Sequence, residues 1–132
     1  MLEARTTPLT TLAAEPSASA TWWLSVARSL DALGDRLSMQ LAADVGPGGS
    51  FADVLWHEPS LSSRVGRVSA QGTRLLERVR TVRRSVSRFA GEPARARDVS
   101  AELASIANEE RHYSHRVREL FWDAYNRDIG GD

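Results

Sequence analysis

Three histidines and a handful of carboxylates carry the residue types in this 132-residue chain that could do chemistry. His112 and His115 lie three apart, a spacing that puts two side chains on one helix face within reach of one metal ion. His57 would have to arrive from a distant segment to complete a zinc-type trio. Solvated or salt-bridged surface histidines are the simpler account. Glu109 and Glu110 stand just before His112, and Glu110 falls where a stripe of apolar residues calls for another apolar member. Gln40 and Asp44 likewise continue an inward-facing stripe with polar groups. Such groups, if buried, must hydrogen-bond one another or water. Several other chemistries are excluded. There is no cysteine, hence no disulfide, thiolate ligand or thiol nucleophile. There is no nucleophile-elbow motif. Gly46–Gly49 lacks a following Lys-Ser/Thr and a preceding strand, so it is no phosphate loop.

The elements that must position these residues are all helical. A first long helix is predicted from Ser19 or Thr21 to Asp44, with the stripe Trp23, Val26, Leu30, Leu33, Leu37, Gln40, Asp44. Gly46-Pro47-Gly48-Gly49 ends it. Ser50 is placed to cap a short helix, Phe51 to His57, closed by Pro59. A second long helix runs from Ser60 or Ser62 to Phe89 or Ala90, striped by Leu61, Val65, Val68, Gly72, Leu75, Val79, Val82, Val86 and Phe89. After the break at Gly91-Glu92-Pro93, Asp98 or Ser100 caps the last helix, with Glu102 near its N-terminal dipole. Its stripe is Val99, Leu103, Ile106, Glu110, Tyr113, Val117, Leu120, Ala124, and Ile129-Gly130-Gly131 closes it. Nothing reads as a strand.

The expected fold is therefore all-α: an antiparallel up-and-down helical bundle of three long helices and one short one over residues 18–132. Residues 1–17 form a flexible N-terminal arm that can pack Leu9 and Leu12 onto the body. Trp22 and Trp23 cannot both point at one axis, so one faces the arm, a partner subunit or a ligand. Leu76, Phe121 and Trp122 lie off the main stripes and leave room for a dimer contact.

Charge is unevenly spread. The chain is neutral overall, with 17 basic residues, all Arg, and 17 acids. Residues 60–97 hold ten Arg against two acids, and the rest holds seven Arg against fifteen. Arg80, Arg84 and Arg88 stack at four-residue spacing with Arg83 beside them, a surface that could bind phosphates or nucleic acid. The opposite charges of the two parts favour pairing between helices instead, and no aromatic interleaves the run before Phe89. No apolar run approaches bilayer length, and the N-terminus has no signal-peptide core. A cytoplasmic location without membrane partners is expected.

Gly48-Gly49, the short helix Phe51–His57 with Pro59, and the closing segment Leu120-Phe121-Trp122-Asp123-Ala124-Tyr125-Asn126-Arg127-Asp128-Ile129-Gly130-Gly131 together resemble a bacterial branch of the hemerythrin-like (HHE) family. The resemblance spans roughly residues 20–132. It implies a pocket of His and carboxylate ligands for two metal ions, usually iron. At the positions it implies, Gln40 replaces a His and Asp44 keeps a carboxylate. Gln71, after Ala70, replaces the His of a Glu-His pair. Tyr113 stands for another His and Val117 for a carboxylate. An amide is a poor substitute for imidazole on iron, and valine cannot ligate.

The expectation is a relic pocket of Gln40, Asp44, Gln71, Glu110, Tyr113 and Val117 whose metal site has decayed. No cofactor and no enzymatic activity are expected. The function is binding or scaffolding, with an unidentified protein or a second copy (a homodimer) as partner. The alternative is a diiron-type oxygen or redox sensor or carrier, with non-haem iron on Asp44, Glu109 or Glu110, and His112 or His115. A nucleic-acid binder using Arg80, Arg83, Arg84 and Arg88 ranks third.

Overall fold

The computed structural model describes residues 6–130, with side chains from Thr6 to Asn126. Five α-helices follow in order: α1 (Leu9–Ala14), α2 (Ala20–Val45), α3 (Ser50–His57), α4 (Ser62–Phe89) and α5 (Pro93–Gly130). A single 3₁₀ turn, Pro59–Leu61, joins α3 to α4. No strand occurs among the described residues. The end of the closing segment, from Gly131, lies outside them.

The predicted stripes are the buried faces. Val26, Leu30, Leu33 and Leu37 of α2, Val65 to Val86 of α4, and Val99 to Ala124 of α5 join one core. Each fully buried Leu, Ile or Val contributes about 1.5–3 kcal/mol relative to exposure. Ser19 caps α2, its hydroxyl accepting from the Trp22 backbone N–H at 3.1 Å. Gly48 turns the chain at φ 73°. At Gly49 a Cβ would lie 2.6 Å from the Ala43 carbonyl oxygen, so only glycine lets α3 start against the end of α2.

Three expectations are corrected. Ser50 does not cap α3; Gly49 occupies the cap position and Ser50 is the first helical residue. The last helix starts at Pro93, well before Asp98 and Ser100. Proline suits a first helical turn because its missing N–H would have no partner there. Glu102 accordingly does not serve a helix start; it accepts from Arg78 Nη2 at 3.1 Å. The arm packs Leu9 and Leu12 onto the body as expected. Residues 9–14 form α1, with Leu12 buried in the common core.

α1 lies between α2 and α5, packed against both. Side chains of the long helices clasp its backbone. Trp22 Nε1 donates to the Leu12 carbonyl at 3.1 Å, Ser29 Oγ to that of Thr7 at 2.6 Å, and Ser100 Oγ to that of Ala13. A six-residue helix has little stability of its own, so these contacts and Leu12 hold it. They also resolve the tryptophan pair. Trp22 faces the arm, Trp23 faces the core, both are buried, and their rings meet edge-on at 5.1 Å.

α4 packs between α2 and α5. Arg64 pairs with Asp123 at 2.6 Å, Arg78 with Glu102 and Glu109, and Arg83 with Asp31 at 2.8 Å. Half-exposed pairs of this kind are each worth about 0–1 kcal/mol, so they orient the helices more than they hold them. α3 covers the far end of the core, its Phe51 ring 5.9 Å from that of Phe121. Leu76, expected at a dimer contact, is buried within the chain.

Candidate functional site

Of the residues at the positions the resemblance implies as metal ligands, Tyr113 lies deepest. Tyr113 is fully buried, projected inward from the middle of α5. Its ring and hydroxyl lie against α4 at Gly72. A Cβ there would stand 2.7 Å from the tyrosine oxygen, 2.8 Å from Cζ and 2.7 Å from Leu41 Cδ2. Gly72 is thus the hole that receives the Tyr113 ring. Val117, one turn on, is also buried. Asp44, near the end of α2, is 7% exposed. Its charge acts on Tyr113. Burial first, and Asp44 second, push the phenol from its ordinary 10 up to about 12. The hydroxyl has no hydrogen-bond partner among the described residues, an unusual state for a buried polar atom.

The other residues of the expected cluster do not join this pair as one buried network. Gln71 is turned to the surface, where its Oε1 accepts from Arg116 Nη1 at 3.1 Å. Gln40 is half-buried. Glu110 borders a separate cavity of about 440 Å³ with Ser29, Leu33, Arg36, Arg111 and the Thr6–Thr10 segment. Its Oε2 accepts only a long 3.4 Å bond, from Ser114 Oγ. Thr6, Thr7 and Pro8, which precede α1, form one wall of this cavity.

The alternative ligand set is scattered too. Glu109 pairs with Arg78. His112 and His115 are exposed, and His115 Nε2 lies 3.5 Å from Glu119 Oε1. The His57 ring packs edge-on against Tyr125 at 4.8 Å. No three His, Asp or Glu side chains converge among the described residues. What Asp44 has beside it is a phenol that holds its proton at neutral pH, and Val117, one turn from Tyr113 on α5, has no donor atom. That set does not suit a pair of iron ions, which need several anionic or imidazole ligands.

Of the Arg-rich surface, Arg83 is engaged with Asp31, while Arg80, Arg84 and Arg88 are exposed. Arg84 Nη2 reaches only the Thr81 hydroxyl, at 3.1 Å. Two large aromatics also project outward: Trp56 on α3 is 87% exposed and Trp122 on α5 is 67% exposed. Trp122 was legible as a surface residue off the stripe. For Trp56 the short helix was too brief for its buried face to be read.

No helix among the described residues is long and apolar enough to cross a membrane. Compared with known proteins, the chain matches no family model, no curated protein and no solved structure.

Proposed function

We propose that the chain is a hemerythrin-like, antiparallel up-and-down helical bundle whose metal pocket has been replaced by packing, and that it works as a non-enzymatic binding or scaffold protein. The observation that carries this is Tyr113. A fully buried aromatic ring seated on Gly72 occupies the interior position where the resemblance implies a histidine ligand. The up-and-down topology is supported by the ion pairs: Arg64 early in α4 meets Asp123 late in α5, and Arg78 further along meets Glu109 and Glu102 further back. A protein partner is supported by the outward Trp56 and Trp122, since exposed tryptophans of this size are costly in water and enriched in interfaces.

The test is elemental analysis of freshly purified protein beside the Asp44→Ala variant. The expected result is folded protein with no stoichiometric metal in either. Near-stoichiometric iron or zinc in the wild type, lost in the variant, would overturn the reading and restore a metal-dependent sensor or carrier.

A further inference from the structure

The cavity beside Glu110 has a different character from the packed interior next to it. Its lining includes two arginines, the exposed Arg36 and Arg111, and the half-buried Glu110, with Thr6, Thr7, Thr10 and Ser29 and the apolar Leu9 and Leu33. Its volume of about 440 Å³ lies in the range of small-molecule sites.

None of the three charged groups has an ion-pair partner among the described residues. Glu110 forms no ion pair with a described base, and Arg36 and Arg111 form none with a described acid, although all three border one space. Glu110 also interrupts the apolar stripe of α5, where a leucine would pack without carrying a charge toward the interior. The roof is held in place: the Ser29 hydroxyl, itself buried, donates to the Thr7 carbonyl at 2.6 Å.

We propose that this cavity binds a small aminodicarboxylate, that is, an acidic α-amino acid. The complement is one for one. Two guanidinium groups, on Arg36 and Arg111, take two carboxylates, for which their planar forks are shaped. The Glu110 carboxylate takes the single ammonium. A dicarboxylate lacking the amine leaves Glu110 facing added negative charge. A plain amine leaves both arginines without partners. The methylene chain of the ligand lies along Leu33 and Leu9. The proposal rests on the reading of the chain as a binding protein and assigns its ligand class.

The test is isothermal titration of the full-length protein with L-glutamate, L-aspartate, glutarate and a simple alkylamine, on a preparation of measured metal content. One of the two amino acids should bind, with glutarate and the amine at least about tenfold weaker, a difference of about 1.4 kcal/mol. Glu110→Gln should weaken the amino acid about tenfold and leave glutarate unchanged or tighter. Arg111→Gln should weaken both. Helical circular dichroism checks that each variant is folded, and Met39→Leu, at an exposed position away from the cavity, serves as a conservative control that keeps binding. No binding of either amino acid at millimolar concentration overturns the proposal. So does glutarate binding as tightly, or an unchanged affinity in Glu110→Gln. Metal content separates the two readings: stoichiometric iron sinks the decayed-site function, whereas failed titrations of metal-free protein sink the ligand alone.

Discussion

Tyr113 and Glu110 stand three residues apart on one face of α5, yet one is sealed and the other open. Tyr113 faces α4, which runs its full length past α5 and offers the Gly72 hole. Glu110 faces the α2–α5 groove, which among the described residues is lined by the start of the short α1 and the segment before it. The polar atom in the sealed region has no hydrogen-bond partner among the described residues, and its pKa is raised, so it holds its proton more firmly. The one in the open region shares a cavity lining with two arginines. Which fate a polar residue meets on an apolar stripe is thus set by the length of the neighbouring helix. Packing replaces chemistry where the neighbour is long, and a charged cavity survives where it is short.

The largest effect that would break this contrast is removal of the sealing ring. Tyr113→Ala should cost about 3–5 kcal/mol, the usual range for deleting a buried aromatic, read as a lower midpoint in urea unfolding. A loss below about 1 kcal/mol would mean that the interior was never filled by this residue.

Alkaline pH should produce the next effect. Tyr113 titrates at about 12 in the folded chain against its ordinary 10. Below 10 both states hold the proton and the stability is fully present. From 10 to about 12 the unfolded chain releases the proton while the folded one retains it, so stability falls by about 1.4 kcal/mol per pH unit. Unfolding curves across that window should show the fall, and Tyr113→Phe should remove most of it. An equal fall in the phenylalanine variant would place the titrating group elsewhere.

Gly72→Ala should come third. The new methyl meets the Tyr113 oxygen and ring and Leu41 at under 3 Å, and overpacking of this kind costs about 1–3 kcal/mol. Better helix propensity returns up to about 1 kcal/mol. Combining it with Tyr113→Phe removes the clashing oxygen, so the double variant should be more stable than the two single costs added. Simple additivity would show that the two residues do not press on each other.

Much of this was legible in the sequence, and the misses have physical causes. The stripes of α2, α4 and α5 were read correctly because periodicity reports burial directly: Val26, Leu30, Leu75, Val79, Leu103 and Ile106 are all buried. The start of α5 was missed because Asp98 and Ser100 look like caps. Pro93 begins the helix instead, and the Ser100 hydroxyl is used to hold α1. α1 itself was invisible as a helix, since six residues between prolines fold only through tertiary contacts. For the same reason the break at Glu110 could be seen while the cavity it faces could not. Gln71 was placed in the relic pocket because the resemblance implies a His there, but it lies on the flank beside Gly72, where one residue along a helix turns a side chain by about 100°, and the surface arginine Arg116 captures it.

The smallest predicted effect sharpens the contrast from the open side. Glu110→Leu completes the α5 stripe, removes a charge that has no ion-pair partner among the described residues, and adds apolar surface against Leu33 and Leu9. The variant should therefore be more stable than the wild type, by roughly 0.5–1.5 kcal/mol, in the manner of sites where function opposes packing. A destabilised variant would show that Glu110 is held by the protein itself, through Arg36 or Arg111, and that the cavity's charges are already spent on one another. A stabilised variant that has lost amino-acid binding would show the opposite: that α1 leaves the groove uncovered at a measurable cost in stability, and that the carboxylate kept there serves a ligand.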